Sequence, residues 1–472
     1  MCENQQAARA APFRLDNEFV FGLIWPPRQG NRGLRNALMN NSLDISNLPP
    51  SSIQPDTDSA VTEQQWKWSA LAGMASYLDA GSIVALGAGL SLFQTRFKLS
   101  DGAVGALQAI GPNAIGCALG AFLGGWLGDK LGRKRIYQYD LLVYAAGILC
   151  IALATNRDAL FLGTFVVGLA VGADVPTSLA LVGEFAPAKA RGKLLGFTQV
   201  AWCLGPSIVL WLALALSRLQ LLGIRIVFLH LFVVAIVTWA LRRGLAESAR
   251  WVAAKASLAV HHKASALFSG PNLRAIVWTA TIYLFWNLAA GTAGAFNSYI
   301  ISTHSAGSQA LGVGLPSVAF VTMMVVTVTV FMRFSDRSYA TRKFLWAIGA
   351  VTQIFAYGLL IVMPFSIPVI VANIVLFAGG ASLAGEAFYK VFSQELFPTM
   401  LRGTAQGFTF GLARTAVGIW SFFVPALSNQ GIGMLATLLT LFLVISGAVG
   451  FFFMPDTSGK TLEQIETERA DT

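Results

Sequence analysis

Residues 184–198 read EFAPAKARGKLLGFT, and residues 395–409 read ELFPTMLRGTAQGFT. The two stretches share Glu, Pro, Arg, Gly, Gly, Phe and Thr at identical spacing, at an offset of 395 − 184 = 211 positions. Each copy ends one long apolar run and opens the next. The repeat predicts two equivalent halves that face the same way, an arrangement in which a binding site forms where the halves meet.

The composition of the chain is that of a membrane protein. Of its 472 residues, 55% are hydrophobic and only 12% are charged, with a mean hydropathy of +0.62. A soluble domain is closer to a quarter charged. The four cysteines show no metal or disulfide spacing, so we expect neither kind of site. There is also no nucleotide-binding loop and no nucleophile–base pair, which disfavours an enzyme.

Twelve apolar runs are long enough to cross about 30 Å of hydrocarbon as helices. They cover residues 69–94, 103–127, 136–155, 159–183, 195–217, 223–242, 276–301, 311–333, 344–364, 367–391, 404–427 and 432–454. We therefore expect an all-α membrane protein with twelve transmembrane helices in two parallel-repeat halves of six helices each.

Five regions follow from this count. We expect residues 1–65, which are polar and rich in Asn, Gln, Ser and Pro, to be a disordered cytoplasmic tail. Residues 66–243 and 275–454 are the two six-helix halves, residues 244–274 are a cytoplasmic linker, and residues 455–472 are a second cytoplasmic tail. The tails and linker are too short to provide a signalling domain, which disfavours a receptor.

The positive residues predict the orientation. The loops after the second, fourth, sixth, eighth and tenth runs hold eighteen Lys and Arg residues, and the opposite loops hold five. Basic loops stay in the cytoplasm, so both termini are expected there, in a cell membrane. The net charge of +10 then needs no nucleic acid partner. The expected partners are the lipid bilayer and a small polar metabolite, with the protein itself a monomer.

The loop after the second run reads GWLGDKLGRKR over residues 125–135. It resembles the signature loop of the major facilitator superfamily, and residues 336–343 after the eighth run are a weaker echo of it. ESARW at 247–251 and PDTSGKTLE at 455–463 resemble cytoplasmic motifs of the sugar porter family within that superfamily. The resemblance spans about residues 68–466 and implies the major facilitator fold.

In that family these motifs form a cytoplasmic gate that closes in the outward-facing state. The gating residues that the resemblance implies are Gly125, Asp129, Gly132 and Arg133 in the loop, Asp336 and Arg337 in its echo, Glu184, Arg191, Glu395 and Arg402 in the repeat, and Glu247 and Arg250 in the linker.

Four charged residues are predicted near the middle of the membrane, where each is costly without a partner or a function. They are Asp79, Asp174, Glu386 and Arg414. A buried acid can load and release a proton when its surroundings alternate between dry and wet. Asp79 resembles the proton-coupling aspartate of the family's symporters, although Thr164 stands where these place an arginine. Asp174 resembles an aspartate of relatives that import phosphate and organic anions.

We therefore expect proton coupling through Asp79, Asp174 or both, with the proton gradient as the driving force and no cofactor. The alternative is that these acids only form structural ion pairs, above all with Arg414. The protein would then be a uniporter or an antiporter.

The expected substrate-binding residues give a mixed picture of the substrate. Gln199 matches a sugar-binding glutamine of the family, but Lys390 stands where the family has a sugar-stacking tryptophan. The candidates are Gln199, Trp286, Asn287, Asn297, Glu386, Phe388, Lys390 and Arg414. Glu386 and Lys390 are also spaced to pair on one helix. A sugar, a polyol, a sugar acid and a small carboxylate all remain open.

Overall fold

The structure is a computed structural model that describes residues 61–244, 247–256, 264–268, 270–304 and 309–470. All regular secondary structure in these ranges is helical. The expected tail of residues 1–65 lies almost wholly outside them. The first helix, α1, already begins at Glu63. Its N-terminus is capped because the Thr62 hydroxyl accepts the backbone N–H of Gln65 and the Gln65 side-chain oxygen accepts the backbone N–H of Thr62.

Seven helices make up the first half of the chain. They are α1 (Glu63–Phe97), α2 (Asp101–Ile110), α3 (Ile115–Leu131), α4 (Arg133–Ala152), α5 (Arg157–Phe185), α6 (Arg191–Ala215) and α7 (Leu221–Arg242). The linker contributes α8 (Ala249–Ala256) and a 3-10 turn (Ala264–Phe268).

The second half and the C-terminal tail follow. Their helices are α9 (Gly270–His304), α10 (Gln309–Val326), α11 (Met332–Phe334), α12 (Tyr339–Val362), α13 (Ile367–Leu383), α14 (Glu386–Glu395), α15 (Arg402–Ser421), α16 (Val424–Gln430), α17 (Ile432–Phe452) and α18 (Leu462–Ala470). A π-helical turn (Thr327–Phe331) joins α10 to α11.

Ten segments in the described ranges are long and apolar enough to cross a membrane. Helices α4 and α15 are not among them, although both occupy runs that the sequence predicts to span. Each carries polar residues inside the bundle, such as Asp140 in α4 and Arg414 in α15. Such polar side chains, which face protein instead of lipid, lower the mean hydropathy of a helix.

Burial follows the pattern of a protein surrounded by hydrocarbon. Large apolar side chains such as Trp211, Val351 and Phe452 are on the outside, with 50%, 66% and 71% of their surface exposed. Arg191 and Arg402 are among the largest fully buried side chains. Charged groups are kept inside the bundle, where other polar groups can satisfy them.

Two of the predicted runs are interrupted, and both interruptions position functional residues. The second run breaks between α2 and α3 at Gly111-Pro112-Asn113, since proline cannot continue the hydrogen-bond ladder of a helix. The tenth run breaks between α13 and α14 at Ala384 and Gly385. The sequence analysis treated both runs as continuous. The breaks turn Asn113 and Glu386 toward the centre of the molecule.

Candidate functional site

The two copies of the repeat exchange ion pairs across the halves. Glu184 of the first copy lies 3.4 Å from Arg402 of the second, and Glu395 of the second lies 3.1 Å from Arg191 of the first. All four side chains are buried. The repeat that reveals the duplication in the sequence therefore also holds the halves together at this end of the bundle.

Two aspartates reinforce this contact at helix N-termini. Asp129 accepts the backbone N–H groups of Gly403 (3.1 Å) and Thr404 (2.6 Å), at the start of α15. Asp336 accepts the N–H groups of the second and third residues of α6, at 2.9 and 2.8 Å. The first N–H groups of a helix lack partners within it and carry a partial positive charge, so each carboxylate stabilises the helix of the other half.

Each half also carries an arginine that links the aspartate to the glutamate. Arg133 lies 2.7 Å from Asp129 and 2.9 Å from Glu184. Arg342 lies 2.8 Å from Glu395 and 3.5 Å from Asp336. The sequence analysis did not include Arg342 in the gate. We call the eight residues of these contacts the cytoplasmic network, after the side of the membrane that the basic loops predict for them: Asp129, Arg133, Glu184, Arg191, Asp336, Arg342, Glu395 and Arg402.

The linker contacts this network through Glu247 and lies next to it through Arg250. Glu247 accepts the N–H of Arg133 at 3.1 Å, and a methyl group added to Gly132, where φ is +105°, would collide with the Glu247 carboxylate. Arg250 pairs with Glu463 of the C-terminal tail at 3.3 Å. Arg337, by contrast, lies over the Phe334 ring at 4.4 Å. The arginine that pairs with Asp336 and Glu395 is instead Arg342.

Close backbone packing accompanies these charges. A methyl group added to Gly125 in α3 would lie 2.3 Å from the backbone oxygen of Gly403 in α15. Only glycine permits this approach, so Gly125 contributes to the contact between the halves through its missing side chain.

A cavity with about 390 Å³ of empty space, part of it open to solvent, lies between the two halves. Its polar lining comes from Asn113, Trp202, Trp286, Asn287, Glu386 and Arg414, and its apolar lining from residues of α1, α9 and α10. We call it the central cavity. Four of the eight expected substrate-binding residues line it, namely Trp286, Asn287, Glu386 and Arg414.

Asp79 and Arg414 form a buried ion pair beside this cavity. Arg414 Nη2 lies 3.4 Å from Asp79 Oδ2, and its Nη1 donates to Asn113 Oδ1 at 2.6 Å. Trp202 Nε1 donates to the same Asp79 oxygen at 3.3 Å. The pair crosses the molecule from α1 in one half to α15 in the other, so it responds to any change in the separation of the halves.

Several buried polar atoms around the cavity have no protein partner among the described residues. They are Asp79 Oδ1, Asn287 Oδ1 and Arg414 Nε. Buried polar groups are normally hydrogen-bonded, and orphaned ones are costly. Two acceptors and one donor are thus available to a ligand that carries hydroxyl groups.

The break in the tenth run positions Trp286, which forms one wall of the central cavity. The indole Nε1 of Trp286 donates to Gln353 at 2.8 Å, and Gln353 donates to the carbonyl of Ala384 at 2.9 Å. A methyl group added to Gly385 would lie 2.6 Å from the Trp286 ring. Gly385 therefore allows the indole to lie directly against the break, with Glu386 at the start of the next helix.

Lys390 forms a second cross-half contact. Its Nζ donates to Gln199 Oε1 at 2.8 Å and lies 3.4 Å from Glu386. Both Lys390 and Gln199 are buried, and neither lines the central cavity. The expected pairing of Glu386 with Lys390 is present. Lys390 thus joins α14 to α6 through its hydrogen bond to Gln199.

Three other expected residues lie away from the central cavity. Asn297 lines a separate, mainly apolar cavity of about 500 Å³ within the second half. The Phe388 ring is fully buried and packs 4.9 Å from the Phe331 ring. Asp174 pairs with Arg242 inside the first half, at 3.0 and 2.9 Å. Asp174 and Phe388 thus have their partners inside their own halves, and Asn297 lines a different cavity.

The sequence analysis also missed residues that the structure brings to these sites. Asn113 holds Arg414, and the Gly-Pro-Asn interruption of an otherwise apolar run is a signal that would have found it. Arg242, the last residue of the sixth predicted run, was counted with the eighteen basic residues of the cytoplasmic loops. No sequence signal separates a loop arginine from one that ends a helix and reaches back into the bundle.

Comparisons with known proteins identify the family. The family model described as "Sugar (and other) transporter" matches residues 110–272 and 259–468. The chain is also 39% identical over 407 residues to the minor myo-inositol transporter IolF of Bacillus subtilis, covering 84% of this chain and 92% of that protein. The chain belongs to this sugar transporter family.

Other similarities agree with this membership. The transporter is 25% identical over 372 residues to the glucose transporter GlcP of Staphylococcus epidermidis, covering 72% of this chain and 82% of that protein. It matches the structure of XylE, a major facilitator superfamily proton:xylose symporter, with a TM-score of 0.74 and 18% identity over 86% of this chain and 98% of XylE. The major facilitator fold and a membrane transporter instead of an enzyme are confirmed.

Proposed function

We propose that this transporter takes up a neutral polyhydroxylated solute, a polyol or a sugar, together with protons by alternating access. The observation that carries the proposal is the set of orphaned polar atoms on Asn287 and Arg414, which line the central cavity, and on Asp79, which pairs with Arg414 beside it. A polyol offers donors and acceptors of both kinds on neighbouring carbons. Satisfying buried groups that are otherwise unpaired also gives strong discrimination in favour of such a ligand.

The charges near the cavity favour a neutral substrate over a sugar acid or a small carboxylate. Arg414 is compensated by Asp79, and Lys390 is compensated by Glu386. An anion would therefore meet no excess positive charge among these four groups, and it would have to lose its hydration shell on entry. The relatives named for myo-inositol and glucose support the same substrate class.

The cytoplasmic network supports a rocking mechanism. It joins the halves at one end of the bundle, and the basic loops at that end support a cytoplasmic orientation for it and for both termini. Breaking these contacts would separate the halves there, while the central cavity remains at their junction. Asp79 and Arg414 lie in opposite halves, so protonation of Asp79 removes one attraction between them and couples the proton to this motion.

A uniporter or an antiporter for the same solutes is the alternative. The observation in its favour is that Asp79 already has an ion-pair partner and a Trp202 bond, so it needs no proton to be accommodated. The two mechanisms differ in what happens when the acid is neutralised.

The Asp79→Asn variant in proteoliposomes separates them. For a symporter, the variant should lose accumulation driven by a proton gradient and keep counterflow exchange of myo-inositol. The matched control is Asp158→Asn, since Asp158 is 86% exposed and pairs only with its neighbour Arg157. If Asp79→Asn accumulates the solute as well as the control does, proton coupling through Asp79 is excluded.

A further inference from the structure

A second buried acidic cluster lies inside the first half, away from the central cavity. It consists of Asp140 of α4, Asp174 of α5 and Arg242 of α7. These residues are only 6%, 3% and 1% exposed, respectively. Arg242 Nη1 donates to both carboxylate oxygens of Asp174, at 3.0 and 2.9 Å. Ser178 also donates to Asp174. The guanidinium and Asp174 therefore form a tightly bonded pair.

Asp140 has no comparable partner. Its Oδ1 accepts the N–H of Leu141 at 2.6 Å, while its Oδ2 is buried without a donor among the described residues. The Asp140 side chain lies within hydrogen-bonding reach of Asp174. Two ionised carboxylates cannot bond to each other, because both only accept. A hydrogen bond between these two requires one proton.

The charge balance of the cluster points the same way. Among the described residues, Asp174 and Arg242 are the charged groups that act most strongly on Asp140. Helix α1 contributes backbone carbonyls of Leu71 and Ala72, which accept from Arg242 at 2.9 and 3.5 Å. Two carboxylates and one guanidinium leave a net negative charge in a buried site. A buried unpaired charge is strongly unfavourable, and uptake of one proton removes it.

We propose that Asp140 and Asp174 share one proton, and that the three residues form a proton-binding site separate from the central cavity. The cluster ties α1, α4, α5 and α7 together. Its carbonyl contact at Ala72 is seven residues before Asp79 on α1, or about 10 Å along the helix. Asp174 precedes Glu184 of the cytoplasmic network by ten residues on α5, so along the helix axes the site lies between the level of Asp79 and that network.

This placement gives the site a role in coupling proton movement to transport. That role rests on the proposed function. While the cytoplasmic network is closed, the pair holds its proton in a dry environment. When the halves separate at the cytoplasmic end, water reaches the pair, Asp140 releases its proton to the cytoplasm, and the resulting carboxylate is solvated. The proton leaves as hydronium and no other reactant is needed.

Infrared difference spectroscopy of the purified transporter tests the site itself. A protonated carboxylic acid has a C=O stretching band that a carboxylate lacks, and ¹³C-labelling of aspartate identifies the residue type. At neutral pH we expect one aspartic acid band, which Asp140→Asn removes and both Asp79→Asn and the exposed control Asp158→Asn retain. An unlabelled wild-type spectrum without the band, or a band that survives in Asp140→Asn, would overturn the site. A wild-type spectrum without the band overturns the site even if the variant does not fold.

Transport by the same variant tests the coupling step. Asp140→Asn keeps a donor toward Asp174 and cannot release a proton, so accumulation of myo-inositol under a proton gradient should fall at least tenfold while counterflow persists. Accumulation equal to that of Asp158→Asn would overturn the coupling step. If wild-type uptake ignores the gradient although the band is present and Asp140-dependent, the proposed symport fails and the proton site stands.

Discussion

The cytoplasmic network can be weakened at one defined point by Asp336→Asn. The Asp336 carboxylate accepts two N–H groups at the start of α6, at 2.9 and 2.8 Å, and lies 3.5 Å from Arg342. Asparagine keeps one acceptor oxygen and points its NH₂ group at the other N–H. The substitution therefore removes the negative charge at the helix N-terminus and one of the two bonds that Asp336 accepts from α6.

The size of the effect follows from these contacts. A hydrogen bond to a charged group contributes about 1.5–3 kcal/mol. The Asp336 side chain is 12% exposed, so solvent screens only part of this energy. Because each 1.4 kcal/mol is about a factor of ten, the equilibrium should shift toward the cytoplasm-open state by about 10- to 150-fold. Asp129→Asn should shift it further, since Asp129 accepts a third cross-half bond from the Thr404 hydroxyl.

Distances between spin labels measure this shift. Labels replacing Arg135 in the first half and Arg337 in the second occupy exposed positions at the cytoplasmic end. We expect Asp336→Asn to move the distance distribution toward longer separations in the absence of substrate. Asp158→Asn, which neutralises an exposed acid at the opposite end, should leave it unchanged. Equal distributions for Asp336→Asn and the control would refute the assignment of this contact to the gate.

Two glycine substitutions test close approaches at the cavity and at the gate. Gly385→Ala adds a methyl group 2.6 Å from the Trp286 ring and should reduce substrate affinity at least tenfold in a thermal-shift titration. The control is Gly379→Ala, which has open space around its Cβ position and should leave the affinity unchanged. Gly125→Ala adds a methyl group 2.3 Å from a backbone oxygen of α15 and should favour the cytoplasm-open state in the same spin-label assay, whereas Gly358→Ala, also in open space, should leave it unchanged. Equal behaviour of either variant and its control would contradict the close packing.

The fold and the charged contacts between the two copies of the repeat were largely predictable from the sequence, whereas the partners in the cavity were not. The repeat at 184–198 and 395–409 indicated the duplication, and its acids and arginines do pair across the halves. The pairing itself depends on how the halves face each other, which no local pattern encodes. For this reason Arg342, and not the expected Arg337, pairs with Asp336 and Glu395.

The deep charges illustrate the same limit. Asp79 and Arg414 were both recognised as buried, and a structural pair with Arg414 was one expectation for the acids; the structure assigns it to Asp79. Asp174 instead meets Arg242, because that arginine ends α7 and extends back into the bundle. Depth along a helix can be counted from a sequence, but the face that a side chain occupies depends on packing between helices.

Uptake of labelled myo-inositol into proteoliposomes under an imposed proton gradient tests the central claim most directly. The account predicts that the wild-type transporter accumulates the solute above its external concentration when the gradient is directed inward. It also predicts that a protonophore abolishes this accumulation while counterflow continues. Uptake that only equilibrates the solute, at a rate indifferent to the gradient, would contradict it.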